Sequence, residues 1–373
     1  MAGSHDMANH GPAARTSSGH IPTAIDDLTP AWLTGALAAV ASPGARVVRA
    51  EPTDVGSGMG LLGSLHRLAL TWDCATGPSS VVAKLPAAGM RSRAVASALG
   101  MYPREVRFYR DLGPGTDLAV GCHHAALDER THDFVLLLDD MTGATMIDQL
   151  AGCPVDRAAE LLGSLAVLHA RRWDEAGLDA APWLTRFGDS ALADELAGAV
   201  RSCWPAVRER FAGDLDPGVV ALGDGLADRL PEVARALSQP PVTLSHGDLR
   251  LDNVFFRPDG VRLCDWQLTG RARGMRDVAY FLTQSLTPET RAEHERALVD
   301  GYLARLGDLG VDVSATGETW DAYRQGTILG FAYAVVAAGG LDQDDPRSAA
   351  IPRTMLERSA QAMVDQGSVR PER

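Results

Sequence analysis

Apolar positions recur at helical spacing from Ile25 to Ala41, where Trp32, Leu33, Ala36, Leu37 and Val40 share one face. Thr29-Pro30 reads as an N-cap followed by proline at the first helical position. The period then shortens. Arg46 to Asp54 reads as a strand, the glycine-rich stretch Gly56 to Gly63 follows, and Ser64 to Trp72 and Ser80 to Leu85 read as two further strands around a Thr76-Gly77-Pro78 turn. That order predicts an antiparallel meander. A helix is expected from Pro103 to Leu112, stopped by Gly113, and a short buried strand from Phe134 to Leu138. Asp139-Asp140-Met141 then breaks the pattern. Downstream the pattern is mostly helical, over Asp156 to Arg171, Ala191 to Phe211 and Pro217 to Leu237. A β-rich interlude from Val242 to Asp265 turns at Pro258-Asp259-Gly260, and helices resume from Asp277. The expected fold is α+β and bilobal, with a small antiparallel β lobe over residues 25–141 and a larger helical lobe over 142–373. Ligand sites often lie between two such lobes.

Residues 1–24 show no periodicity and no apolar signal segment, and are expected to be a disordered leader. The histidines at 5, 10 and 20 are irregularly spaced and read as tail residues. No apolar run reaches the length of a membrane span. The formal net charge of −13 gives no general attraction to nucleic acid or an anionic membrane. Cysteines at 74, 122, 153, 203 and 264 form no C-x-x-C pair, which suits a reducing cytoplasm.

Composition adds one pointed fact. The chain has 34 Arg and a single Lys, Lys84, at the end of the third expected strand. Arg and Lys are not interchangeable where a compact charge is needed. Gly58-x-Gly60-x-x-Gly63 is followed by a strand, not a helix, so a dinucleotide fingerprint is excluded, and no Gly-Lys-Ser/Thr exists for a Walker A loop. A glycine hairpin covering phosphates with backbone N–H groups fits better, with Lys84 behind it and Glu105 on the next helix as its partner. The strongest signal is His246-Gly247-Asp248-Leu-Arg-Leu-Asp-Asn253, followed by Asp265. Phosphoryl transfer needs a carboxylate to take the proton of the attacking hydroxyl, and oxygen ligands for Mg²⁺. Asp248 and Asn253 have the spacing of a kinase catalytic loop, and the hairpin returns the chain at Asp265.

These motifs, with Asp265-Trp266-Gln267, resemble the aminoglycoside phosphotransferase and choline-kinase-like superfamily over roughly Val55 to Asp365. Asp265-Trp266-Gln267 with Asp277-Val-Ala-Tyr-Phe281 resembles its ecdysteroid-kinase-like branch, and Gly270 to Gly274 departs from the aminoglycoside-modifying members. The resemblance implies a protein-kinase-like fold with ATP or GTP in the cleft. It makes Asp248 the catalytic base and Asn253 and Asp265 ligands of Mg²⁺. It assigns Gly58, Gly60, Gly63, Lys84 and Glu105 to the nucleotide phosphates. Residues 136–141, with Leu138, Asp139 and Met141, become the hinge against the base, and Asp277 a brace for the catalytic loop. The expected activity is Mg-dependent transfer of a γ-phosphoryl group to a hydroxyl of a small molecule, with antibiotic inactivation as the biological role. A metabolic kinase for a sugar, alcohol or choline-like amine is the alternative, and a non-catalytic nucleotide-binding regulator the rival from another class. The protein is expected to be a cytoplasmic monomer or homodimer. His169 is expected to pack or cap, Trp173, Trp183 and Trp204 to pack, and Asp342, Asp344 and Asp345 to form a solvated acidic turn or, alternatively, to bind a cationic acceptor.

Overall fold

The computed structural model describes residues 21–55, 63–74, 76–174, 176–179, 181–189, 191–313, 320–340 and 346–369. Helix α1 (Pro30–Ala36) is capped by Thr29, whose hydroxyl accepts from the Trp32 N–H at 3.3 Å. It precedes an antiparallel sheet built from β1 (Val47–Asp54), β2 (Gly63–Trp72), β3 (Ser80–Pro86), β4 (Cys122–Leu127) and β5 (Phe134–Asp139), in the order β1-β2-β3-β5-β4. The β1-β2-β3 meander is as expected. Between β3 and β4 lie α2 (Met90–Ala98) and α3 (Met101–Arg107), the latter running on as a π-helical turn over Phe108–Leu112.

Strand periodicity sorts the side chains of this sheet onto two faces. Val81, Ala83 and Leu85 of β3, with Val135 and Leu137 of β5, pack with Leu28, Leu33 and Leu37 in a small core. Ile21 packs against this core and Pro22 is buried, ahead of the Ile25 start of the expected helix. The intervening residues face the other way. Leu136 and Leu138 join the large core, and Val82 and Lys84 line the cleft.

The large core continues through the helical lobe. Its elements are α4 (Val155–Arg171), α5 (Ala176–Asp179), α6 (Ala191–Phe211), α7 (Pro217–Asp224), α8 (Leu226–Leu237), α9 (Met275–Ser285), α10 (Pro288–Asp308), α11 (Trp320–Gly340) and α12 (Pro346–Asp365). Two small ribbons interrupt the helices: β6 (Thr243–Ser245) pairs with β9 (Gly270–Ala272), and β7 (Val254–Arg257) with β8 (Gly260–Leu263). Helix α11 packs against α9, α12, α6 and α8 and is the spine of the lobe.

Three local features depart from the sequence pattern. The single helix expected over Pro217 to Leu237 is two, joined at Gly225. The Trp204 indole lies so close to Gly223 that any Cβ there would strike the ring, and its Nε1 donates to Asp224 Oδ1 at 2.8 Å. Helix α2 and strand β4 had no expected counterpart. Neither has a clear amphipathic period: α2 is rich in Arg and Ser, and β4 reads Cys-His-His-Ala-Ala-Leu.

Helix α12 is fastened by one buried cation. Arg358, 5% exposed, donates from Nη1 to the carbonyls of Gln149 at 2.8 Å and Gln284 at 2.9 Å, and from Nη2 to that of Leu150 at 3.0 Å. Arg358→Ala leaves three carbonyls short of donors, so it is expected to lower unfolding stability by about 3 kcal/mol in urea titration.

Candidate active site

Lys84 aims from β3 into the cleft and is 7% exposed. Its Nζ lies 2.8 Å from Glu105 Oε1, 2.7 Å from Oε2, and 3.0 Å from Asp265 Oδ1. Burial alone would depress the Lys84 ammonium, but the carboxylates of Asp265 and Glu105 outweigh it and raise its pKa. Burial lifts Glu105, 1% exposed, above the usual carboxylate range against the pull of Lys84. At Asp265 burial acts in the same sense, but Lys84 overrides it and the pKa is lowered. Gly63 opens β2 directly over this lysine, where an added Cβ would stand 3.3 Å from Lys84 Cε. Gly58 and Gly60 lie outside the described residues.

Asp265 itself has φ +64°, a conformation uncommon for a residue with a side chain and associated with functional sites. The neighbouring Trp266 is fully buried. Its ring stacks on Phe108 at 4.0 Å between centroids and lies 4.5 Å from His246. The helix that carries Glu105 is thus packed, through Phe108 at its end, against the segment that carries Asp265.

The catalytic-loop candidate runs from β6 through Asn253. Asp248 is 8% exposed. Its Oδ1 accepts from the Tyr280 hydroxyl at 3.0 Å, its Oδ2 lies 3.3 Å from Asn253 Nδ2, and Arg250 Nε stands 3.7 Å from Oδ1. Asn253 Nδ2 also donates to the Asp248 carbonyl at 2.9 Å, which leaves the amide oxygen as the atom available to a cation. The Cys264 N–H donates to the Asn253 carbonyl at 3.1 Å and ties this loop to the segment bearing Asp265. Among the described residues no three His, Cys, Asp or Glu are grouped to hold a metal by themselves. One carboxylate and one amide oxygen still fit Mg²⁺, which takes few protein ligands beside phosphate oxygens and water.

Asp277, wholly buried, braces the loop from behind. It accepts from Ser245 Oγ at 2.8 Å, the His246 N–H at 2.7 Å and the Gly247 N–H at 2.9 Å. Gly247 has φ +89°, and a Cβ there would collide with the Leu268 carbonyl, so only glycine lets the loop turn under the brace. His169 Nε2 stands 3.4 Å from Asp277 Oδ2, near enough for ion pairing though poorly aligned for a hydrogen bond, and its Nδ1 is 2.7 Å from the Tyr302 hydroxyl. The expected packing histidine is therefore part of the brace.

Lys84, Glu105, Asp248, Asn253 and Asp265 open into one cavity of about 540 Å³. Leu138, Asp139 and Met141 line it at the junction of the lobes, together with Val82 and Phe255. The Asp139 N–H is taken by the Gly121 carbonyl at 2.9 Å, and its carboxylate faces His123 Nε2 at 2.9 Å. Asp140 is bound to Ser80 Oγ and Arg67 Nε, both at 2.6 Å, and shapes the bend after β5.

Residues 179–313 match the ecdysteroid kinase-like family. The match spans Asp248, Asn253, Asp265 and Asp277 and stops short of Lys84 and Glu105. No curated protein matches the chain. Among solved structures it is similar to a Ralstonia eutropha JMP134 protein provisionally described as an aminoglycoside phosphotransferase, at 14% identity and TM-score 0.51, over 87% of this chain and 94% of that one. It is also similar to choline kinase from Cryptosporidium parvum Iowa II (11% identity, TM-score 0.50, 85% and 91%). A third likeness is to Plasmodium vivax ethanolamine kinase (13%, 0.50, 84% and 82%). At these identities the likeness is one of fold, a kinase-like bilobal α+β architecture.

Within that fold, sequence reasoning missed Tyr280 and Arg250 beside Asp248. Tyr280 follows Asp277 by three residues on α9, so both project from one helical face toward the loop. Only the pairing across 32 residues shows that the face meets Asp248.

Burial opposes ionisation of Asp277, but His169, with Arg276 and His246, more than compensates and holds its pKa well below the usual range. A depressed folded pKa stabilises above the unfolded value, about 4, and that stability is lost as pH falls toward the folded one. Asp277→Asn should cost about 3 kcal/mol at neutral pH. In denaturant titrations from about pH 5 to about pH 3 the variant should lose less stability than the parent, because this linkage is gone.

Proposed function

We propose that the protein is a Mg-dependent small-molecule kinase that moves the γ-phosphoryl group of ATP or GTP to an acceptor hydroxyl. The observation that carries this reading is the convergence of Lys84, Glu105 and Asp265 on one side of the cavity with Asp248 and Asn253 on the other. The family match and the kinase-like fold agree with it. Residues 25–141 serve as the nucleotide lobe and 142–373 as the lobe of the catalytic loop and the acceptor.

In this mechanism Asp248 Oδ2 or Oδ1 orients the acceptor hydroxyl and takes its proton as the new O–P bond forms and the bond to the leaving diphosphate breaks. Tyr280 and Asn253 hold that carboxylate in place. Glu105 keeps Lys84 extended toward the α- and β-phosphates, and Gly63 opens β2 over that lysine. Asn253 and Asp265 are the residues that would hold Mg²⁺, which when bound neutralises charge on the phosphates. Leu138, Asp139 and Met141 border the base. Five free cysteines accord with a cytoplasmic setting. Antibiotic inactivation is the role we put first. A metabolic kinase for a sugar, an alcohol or a choline-like amine is the second.

Asp248→Asn should keep nucleotide binding and lower turnover by about 10²–10⁴-fold, read by mass spectrometry as loss of the phosphorylated acceptor. Near-parental turnover would remove Asp248 from the role of base.

Lys84 offers a separate check. A nucleotide acyl-phosphate probe should acylate Lys84 and, besides it, only the chain's α-amino group, with protection by excess Mg-nucleotide. A bound probe makes the reaction intramolecular. Slow, unprotected labelling in the peptide map would overturn the phosphate contact.

A further inference from the structure

Resting on that reading, we propose that Gln149 is a positioning residue for the metal end of the catalytic loop: its side-chain amide caps the turn that carries Asn253. The loop has two halves. Asp277 takes donors from Ser245, His246 and Gly247, so its hold ends before Asp248. The second half ends in the short 3₁₀ turn Leu251–Asn253. The first N–H groups of such a turn have no partner within it, and the residue before it, Arg250, supplies no side-chain cap. Gln149 supplies one from 102 positions away. Its Oε1 accepts from the Leu251 N–H at 2.9 Å, and both residues are fully buried.

That oxygen is fixed by what lies behind it. Gln149 Nε2 donates to the Gln284 carbonyl at 2.7 Å, in the last turn of α9. Arg358 Nη1 donates to the same carbonyl at 2.9 Å and to the Gln149 carbonyl at 2.8 Å, so the main chain and the side chain of Gln149 are both held. The Cys153 N–H donates to the next carbonyl of α9, that of Ser285, at 2.7 Å. Helix α9 thus meets the loop in three places. Asp277 acts from its first turn, Tyr280 from its second, and Gln284 from its last through Gln149.

Packing alone does not require an amide here. The Gln284 carbonyl already accepts from Arg358, so an apolar side chain of similar length would fill the same volume and strand only the Leu251 N–H. A buried N–H without an acceptor is costly, and the turn relieves that cost by shifting. Asn253 sits two residues on, in the same turn. Its Nδ2 donates to the Asp248 carbonyl at 2.9 Å and lies 3.3 Å from Asp248 Oδ2. A shifted turn therefore moves the amide oxygen that would meet Mg²⁺, while Tyr280 keeps its own hold on Asp248 Oδ1. Loss of the cap should disturb the metal more than the base, as loss of a group that orients a metal ligand does.

The test separates reach from chemistry in the full chain. Gln149→Glu keeps the length and an oxygen acceptor, Gln149→Asn keeps the amide and loses a methylene, and Gln149→Met keeps the length and loses the hydrogen bonds. Mn²⁺, standing in for Mg²⁺, is titrated by EPR with a non-hydrolysable ATP or GTP analogue. Exchange of the Leu251 amide is followed by hydrogen–deuterium mass spectrometry without nucleotide. Gln149→Met and Gln149→Asn should weaken Mn²⁺ binding by about tenfold or more. Both should speed Leu251 exchange by about tenfold or more. Gln149→Glu should regain at least half of the lost Mn²⁺ affinity on a logarithmic scale. Leu298→Ala, in α10, controls for lowered stability and should leave Mn²⁺ affinity unchanged. Parental Mn²⁺ affinity in Gln149→Asn and Gln149→Met, a Gln149→Glu no better than Gln149→Asn, or the same loss in Leu298→Ala would overturn the proposal. If Gln149→Met does not fold, the ranking of Gln149→Glu against Gln149→Asn decides it. A parent that binds no Mn²⁺ with nucleotide, while its Leu251 amide is protected and that of Gln149→Asn is not, would count against the kinase reading and not against the cap.

Discussion

One ammonium holds two carboxylates that the chain brings from far apart, and the cleft depends on it. Glu105 is 21 residues from Lys84, and Asp265 is 181 residues away in the other lobe. Without the cation, two buried negative charges would face each other at short range in a medium of low dielectric, where repulsion is several times stronger than in water. With it, sheet, α3 and the Asp265 segment keep their spacing. The trio still carries more negative than positive charge when ionised. On the proposed reading, a divalent cation at this site would relieve that excess.

Geometry around this ion cluster is enforced by packing that no charge supplies. Trp266 is pressed between Phe108 and His246, so the residue next to Asp265 touches both the end of the helix bearing Glu105 and the start of the catalytic loop. The loop in turn hangs on Asp277. Three donors from consecutive residues converge on that one carboxylate, which converts a flexible glycine-containing turn into a fixed platform. In the proposed reaction the acceptor hydroxyl would need its base within a fraction of an ångström, and these two contacts would hold Asp248 there.

Much of this was legible in the sequence, and the reasons differ by residue. Lys84 stood out because it is the chain's single lysine, set at the end of an apolar strand. Asp248 and Asn253 stood out because their relation is local. Asp277 was recognisable as a brace, yet its partner His169 was read as a packing residue, since the two meet across 108 positions of chain. Tyr280 and Trp266 were opaque for the same cause. Their roles lie in contacts between elements, and no periodicity encodes those. Helix α2 and strand β4 escaped because small, polar and His-rich segments carry little hydrophobic pattern. The helix break at Gly225 was not expected, and Trp204 from another helix packs on Gly223 and bonds Asp224 beside it.

The two ends of the cavity come from separate stretches of chain. Among the described residues every carboxylate lining the cavity lies between Glu105 and Asp265, whereas α11 contributes Tyr333, Val336 and Ala337 and α12 contributes Ile351, Pro352 and Met355. Those helices hold none of the ionisable groups clustered at the other end. Substitutions at Val336, Ala337, Ile351 or Met355 leave the residues of the ion cluster in place, whereas Tyr333 is tied to the brace through Arg276. If the proposed function holds, lineages descending from such a gene would be free to exchange one acceptor for another by drift in two adjacent helices, while the chemistry stayed under separate selection.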